Sequence, residues 1–105
     1  MGNAASAATV SASALLATEL VGSVFTIGLN RPAKRNALND DIMEEIQHCF
    51  THLPEGIGAV VLHGIGAHFS AGLDLSELRE RDATEGLRHS QMWHRVFDKI
   101  QYCRV

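Results

Sequence analysis

The chain has 105 residues, of which 46% are hydrophobic and 20% charged, a composition typical of ordinary globular domains. Nine Lys+Arg against twelve Asp+Glu give a net charge of −3, so we expect no nucleic-acid partner. The longest apolar run, residues 59–62, is far too short to cross a membrane, and we expect no membrane partner. Two cysteines without a secretory-type segment predict reduced thiols and a cytoplasmic location.

Residues 1–14 are rich in Ala and Ser, which bury too little surface to offset the entropy of ordering, so we predict a disordered leader there. The remaining residues, 15–105, are predicted to form one domain. Between Leu15 and Leu29, β-branched and aromatic residues on both sides of Gly22 predict two short strands joined at a turn. Pro32 ends the second strand because it lacks a backbone donor.

A helix is predicted after Asn39, a good N-cap, and Pro54 and Gly56 mark its end. Residues 58–62 are apolar without polar alternation, which predicts a parallel strand buried on both faces. This order of strand, helix and strand indicates a β-α-β crossover in an α/β fold. A final amphipathic helix is predicted from Thr84 or Glu85 onward, with an apolar face made of Trp93, Val96, Phe97, Ile100 and Cys103.

The loop from Gly64 to Asp74 follows the crossover strand at its carboxyl end, where α/β sheets place their ligands. A dinucleotide loop is excluded because the third glycine of G-x-G-x-x-G is absent. Ser70 lies between strand and helix as a nucleophile would, but His68 stands where a nucleophile elbow normally has glycine. The small residues 70–72 also allow a ligand carbonyl to approach backbone N–H groups, or they form only a tight turn. These two interpretations of the small residues stay open on local chemistry alone.

His48 and His52 have the i, i+4 spacing of metal ligands on the first helix. The H-E-x-x-H motif is absent and the sequence offers no third ligand beside them, so we predict no metal site.

Three segments together resemble the enoyl-CoA hydratase/isomerase (crotonase) family: residues 27–38, IGLNRPAKRNAL; residues 59–64, AVVLHG; and residues 68–75, HFSAGLDL. The resemblance runs from about Leu15 to the end of the chain. It implies the amino-terminal portion of a crotonase-like spiral of ββα units. Members of this family bind acyl-CoA thioesters, stabilise the enolate with two backbone N–H groups, need no cofactor besides the CoA substrate, and assemble as trimers or hexamers.

The resemblance implies that the first oxyanion donor is the backbone N–H of Leu73. It also implies a substrate groove whose contacts are Lys34, Arg35, Ala37, Ala71, Gly72, Asp74 and Leu75. Leu73 is bulkier than the small residue that many relatives carry at this position. Its side chain changes the shape of the acyl pocket, but the backbone N–H does not depend on the side chain.

In this family the second donor and the acid/base glutamates lie further along the chain than Val105, and Glu77 and Glu80 are wrongly placed to replace them. For the complete enzyme, the resemblance implies hydration of a 2-enoyl-CoA. The alternative is a truncated, non-catalytic chain that binds CoA or a partner subunit.

Overall fold

The computed structural model describes residues 8–12, 15–77 and 83–105. Its elements, in chain order, are strands β1 (Ala8–Ala12), β2 (Leu16–Val21) and β3 (Val24–Leu29), a 3-10 turn (Pro32–Lys34), helix α1 (Asp40–Thr51), strand β4 (Ala59–Gly64), a second 3-10 turn (Leu75–Glu77) and helix α2 (Ala83–Gln101). No helix among these residues is long and apolar enough to span a membrane.

The four strands form one mixed sheet in the order β1-β2-β3-β4. Strands β2 and β3 pair antiparallel and are joined at Gly22, whose φ of +59° suits a residue without a Cβ, so the predicted pair of strands is confirmed. Strands β3 and β4 pair in parallel with α1 between them in the chain, which confirms the predicted crossover.

Strand β1 corrects the prediction that all of residues 1–14 are disordered. Residues 8–12 pair antiparallel with β2, in a register that runs from Ala8 opposite Val21 to Ala12 opposite Ala17. The prediction considered only how little Ala and Ser side chains bury, whereas a strand at a sheet edge is held by backbone hydrogen bonds. Residues 1–7 and 13–14 lie outside the described residues.

Helix α1 begins as predicted, because the Asn39 side chain accepts a hydrogen bond from the Ile42 N–H at 2.9 Å. One face of this helix packs on β2 and β3, and Val96 of α2 completes the core. The buried residues of this core are Leu16, Ile27, Leu29, Ile42, Met43, Ile46, Phe50 and Val96.

Strand β4 is not buried on both faces, contrary to the prediction. Its burial alternates: Val60 and Leu62 pack against the core, while Val61 is 45% exposed. The described helices cover only one face of β4, and β4 is the last strand of the described sheet, so its other side chains reach solvent. Helix α2 begins at Ala83, close to the predicted start, but Phe97 of its predicted apolar face is 50% exposed.

Candidate functional site

The segment between β3 and α1 folds as a tight turn. Asn36 donates its N–H to the carbonyl oxygen of Arg31 at 2.9 Å, across the 3-10 turn. Arg35 and Asn36 both have positive φ, 52° and 56°, which asparagine tolerates far better than most residues that carry a Cβ. This turn is the first half of the candidate site.

The Asn36 side chain joins this turn to the loop after β4. Asn36 is fully buried, and its Oδ1 accepts a hydrogen bond from the Arg31 N–H at 2.8 Å. Its Nδ2 donates to the carbonyl oxygens of Ile65 at 3.0 Å and His68 at 2.8 Å. The buried amide is therefore satisfied at both ends, and the loop is held against the turn.

Gly64 lets the loop fold back tightly at the end of β4. A Cβ at this position would overlap the carbonyl oxygen of His68 and lie 2.6 Å from the Cα of Phe69. The chain therefore needs glycine here for a close approach of backbone to backbone.

The loop then runs beside the turn as a short parallel bridge between Leu38 and Leu73. Leu38 donates its N–H to the Gly72 carbonyl oxygen at 2.7 Å and accepts from the Asp74 N–H at 2.8 Å. Because successive residues of an extended strand point their N–H groups to opposite sides, the Leu73 N–H is directed away from Leu38. No group among the described residues accepts a hydrogen bond from it.

Asp74 and Arg31 form an ion pair under this bridge. Arg31 Nη2 lies 3.0 Å from Asp74 Oδ2, and Arg31 Nη1 donates to the Ala37 carbonyl oxygen at 2.6 Å. Asp74 Oδ1 accepts from the hydroxyl of Ser76 at 2.7 Å and from its N–H at 3.0 Å. The two hydrogen bonds from Ser76 and, to a smaller extent, the contact with Arg31 lower the pKa of Asp74 below its usual range. The carboxylate is therefore ionised, and both of its oxygens already have partners.

Ser70 has a structural role in this loop. Its hydroxyl donates to the Asn36 carbonyl oxygen at 2.8 Å and accepts from the Gly72 N–H at 3.0 Å. No described imidazole hydrogen-bonds to it, so the structure offers no support for a serine nucleophile.

His48 of α1 and His52, which directly follows this helix, form no metal centre with the other described residues. The rings of His48 and His52 stack at 4.3 Å, and His52 Nδ1 lies 3.0 Å from the His48 carbonyl oxygen. Burial, together with Glu45, raises the pKa of the neighbouring Cys49 thiol, which disfavours the thiolate that a metal would need.

The structure brings the residues named from the sequence into two adjoining segments. The Ala71 N–H donates to the Arg35 carbonyl oxygen at 2.9 Å, which places the loop directly beside the turn. Lys34 and Arg35 are exposed on the turn, and Ala71 and Leu75 are exposed on the loop. Gly72, at a φ of +88°, lies in the loop between Ala71 and Leu75.

Asn36 and Arg31 have no predicted role, although both lie inside the segment 27–38 that resembles the family. A polar residue that follows a turn and precedes an apolar helix gives no sign of whether it is buried. The family motif therefore contained both residues, but the residue types alone did not reveal what they do.

A cleft of about 300 Å³ opens beside Leu73. Leu73 forms one side and helix α2 the other. The lining residues are Leu73, His89, Ser90, Trp93, His94 and Phe97. The outward-directed N–H of Leu73 and an aromatic cleft thus belong to the same part of the described structure.

Comparison with solved structures defines the class of protein. A Rhodopseudomonas palustris protein provisionally assigned as an enoyl-CoA hydratase superposes with a TM-score of 0.85 and is 70% identical, over 94% of this chain and 38% of that one. The fold is therefore an α/β portion of the crotonase fold.

The sequence model of the enoyl-CoA hydratase/isomerase family matches residues 19–104, and the chain belongs to that family. It is similar to the short-chain-enoyl-CoA hydratase of Clostridium acetobutylicum, with 33% identity over 79% of this chain and 33% of that protein. It is also 35% identical to 4-chlorobenzoyl coenzyme A dehalogenase-1 of an Arthrobacter species, over 73% of this chain and 29% of that protein. The chain thus spans about a third of the length of the curated relatives that it matches.

Proposed function

We propose that this chain binds an acyl-CoA thioester and directs the Leu73 N–H at the thioester carbonyl oxygen. The observation that carries the proposal is the bridge to Leu38, which uses the Gly72 carbonyl oxygen and the Asp74 N–H and leaves the Leu73 N–H directed outward. A fixed amide donor stabilises the negative charge that develops on this oxygen when an enolate forms, and removal of one such donor typically costs about 10²–10³ in rate.

The proposed groove for coenzyme A follows the two adjoining segments. Lys34 and Arg35 are exposed cations that suit the phosphates of the nucleotide, and Ala37 borders the pantetheine arm. On the loop, Ala71, Gly72 and Leu75 line the groove for the thioester. Asp74 acts through its ion pair with Arg31, which holds the bridge in place.

The reaction that we propose for the whole protein is hydration of a 2-enoyl-CoA. The Clostridium and Arthrobacter relatives are named for different reactions, hydration and dehalogenation, and their names share an acyl group carried on coenzyme A. This chemistry needs no cofactor besides the CoA substrate. The described carboxylates beside the bridge and the cleft, Asp74 and Asp40, already have partners, and we assign neither as the general acid or base.

A second candidate is binding of CoA or of a partner subunit without turnover. Exposed apolar side chains on β4 and the loop favour association, for example Val61 at 45%, Phe69 at 58% and Leu75 at 72% exposure. For the whole protein we propose a homo-oligomer, a trimer or hexamer by family resemblance, and light scattering of that protein would test it.

Two measurements test these candidates. Calorimetric titration with butyryl-CoA and with free CoA should show binding of both, with the thioester bound more tightly. Hydration of crotonyl-CoA by the purified chain, clearly above the rate in buffer, would eliminate the non-catalytic candidate. Absence of any binding of butyryl-CoA would contradict the proposed function.

A further inference from the structure

Three rings form a row along helix α2. His89, Trp93 and Phe97 follow one another at i, i+4 and i+8, so they share one face of the helix. The ring centroids of His89 and Trp93 are 5.4 Å apart, and those of Trp93 and Phe97 are 6.3 Å apart in an edge arrangement. The row forms the α2 side of the cleft whose other side is Leu73.

A carboxylate of helix α1 holds Trp93, the middle ring of this row. Trp93 donates its Nε1–H to Asp40 Oδ1 at 3.0 Å, and His89 Nε2 lies 2.8 Å from the same oxygen. The Trp93 ring is thus held from α1 before any ligand arrives, while the His89 ring lies beside the same carboxylate without a hydrogen bond to it. A preorganised side chain lowers the entropic cost of binding a ligand.

The cleft is mainly aromatic, and no carboxylate of the described residues lines it. Four of its six lining residues have rings, and the polar ones are two imidazoles and a serine hydroxyl. Phe97 is 50% exposed, so it still has surface that a ligand can bury. A flat aryl group would contact the rings of α2 on one face and the Leu73 side chain on the other, without losing the rotamers that a straight acyl chain loses.

We propose that the cleft selects aryl-CoA thioesters of the benzoyl class over saturated acyl groups of similar size. This inference rests on the proposed function, because the thioester carbonyl must lie near the Leu73 N–H for its acyl group to enter the cleft. The two are separable, since coenzyme A and the thioester engage the turn and the loop, whereas the aryl preference depends on the rings of α2.

The test is a calorimetric titration of the whole chain with benzoyl-CoA, cyclohexanecarbonyl-CoA and free CoA. The two acyl groups have the same number of carbons, and only one is planar and aromatic. We expect benzoyl-CoA to bind about threefold to tenfold more tightly than cyclohexanecarbonyl-CoA. Phe97→Leu should reduce this ratio toward one, while Tyr102→Leu, which removes an exposed ring outside the cleft, should leave it unchanged.

Each outcome decides something different. Equal affinities of the wild-type chain for the two thioesters would overturn the aryl inference and leave the proposed function standing. An unchanged ratio in Phe97→Leu, with a wild-type circular dichroism spectrum, would also overturn it. Failure of both thioesters to bind would overturn the proposed function itself.

Discussion

The guanidinium of Arg31 lies 3.0 Å from the carboxylate of Asp74, and this ion pair ties the turn after β3 to the loop after β4. The two residues are 43 positions apart in the chain, yet they flank the bridge that orients the Leu73 amide. The site is thus built by contacts between two segments that lie far apart in the sequence.

Asn36→Ala should strongly destabilise the fold. The substitution leaves the Arg31 N–H and the carbonyl oxygens of Ile65 and His68 without their buried partner, and each unsatisfied group costs about 1–3 kcal/mol. Urea unfolding followed by circular dichroism would measure the loss. Asn30→Ala is the control, since the Asn30 side chain has no hydrogen bond to described residues, and it should change the free energy of unfolding by less than about 1 kcal/mol. Equal effects would contradict the role of Asn36.

Asp74→Asn should make the stability of the fold less sensitive to acid. The pKa of Asp74 is lowered in the folded state, so the unfolded chain takes up its proton first as pH falls. The stabilisation is complete above the ordinary pKa of an aspartate, about 3.9, and is lost as pH falls through the lower folded value. Unfolding at pH 7 and at about pH 3 should show a smaller drop for Asp74→Asn than for the wild type. Asp98→Asn, at an exposed position on α2, should retain the wild-type drop.

Gly64→Ala and Gly86→Ala should change stability in opposite directions. A Cβ at residue 64 meets the backbone of His68 and Phe69, which should cost about 3 kcal/mol or more. A Cβ at residue 86 meets open space inside α2, where alanine favours the helix by about 0.5–1 kcal/mol. Thermal unfolding of both variants checks this, and a stable Gly64→Ala protein would show that the loop does not fold back as described.

Asp40→Ala should loosen the packing of α2 on α1. Trp93 loses the acceptor of its Nε1–H, at an expected cost of about 1–2 kcal/mol, and its fluorescence should shift to longer wavelength. Trp93 is the single tryptophan, so the signal has one source. Asp41→Ala removes a charge from the same helical turn without touching α2, and its spectrum should match the wild type. A similar shift in both variants would mean that the helix terminus, and not Trp93, is affected.

Local chemistry predicted most of the elements. The Asn39 cap, the turn at Gly22 and the crossover to β4 follow from backbone preferences that act over a few residues, and all three are present. The burial of β4 was predicted wrongly because it depends on which elements cover the strand, which the apolar run Ala59–Leu62 does not encode.

The family motifs located the candidate site in the sequence, but the contacts that shape it could not be derived from the sequence. The outward direction of the Leu73 N–H depends on a bridge to Leu38, 35 residues earlier, and a contact of that range has no local signal. The same holds for the burial of Asn36. The pairing of Asp40 with His89 and Trp93 joins two helices and depends on how they pack.

The most direct test of the central claim compares two ligands that differ only in the thioester carbonyl: butyryl-CoA and its S-butyl thioether analogue. In the wild type and in Leu73→Ala, which keeps the N–H, the thioester should bind about twofold to tenfold more tightly than the thioether. In Leu73→Pro, which lacks this N–H and loses no bond of the Leu38 bridge, the two affinities should be equal. Equal affinities in the wild type, or an undiminished preference in Leu73→Pro, would contradict the assignment of the Leu73 amide as the oxyanion donor.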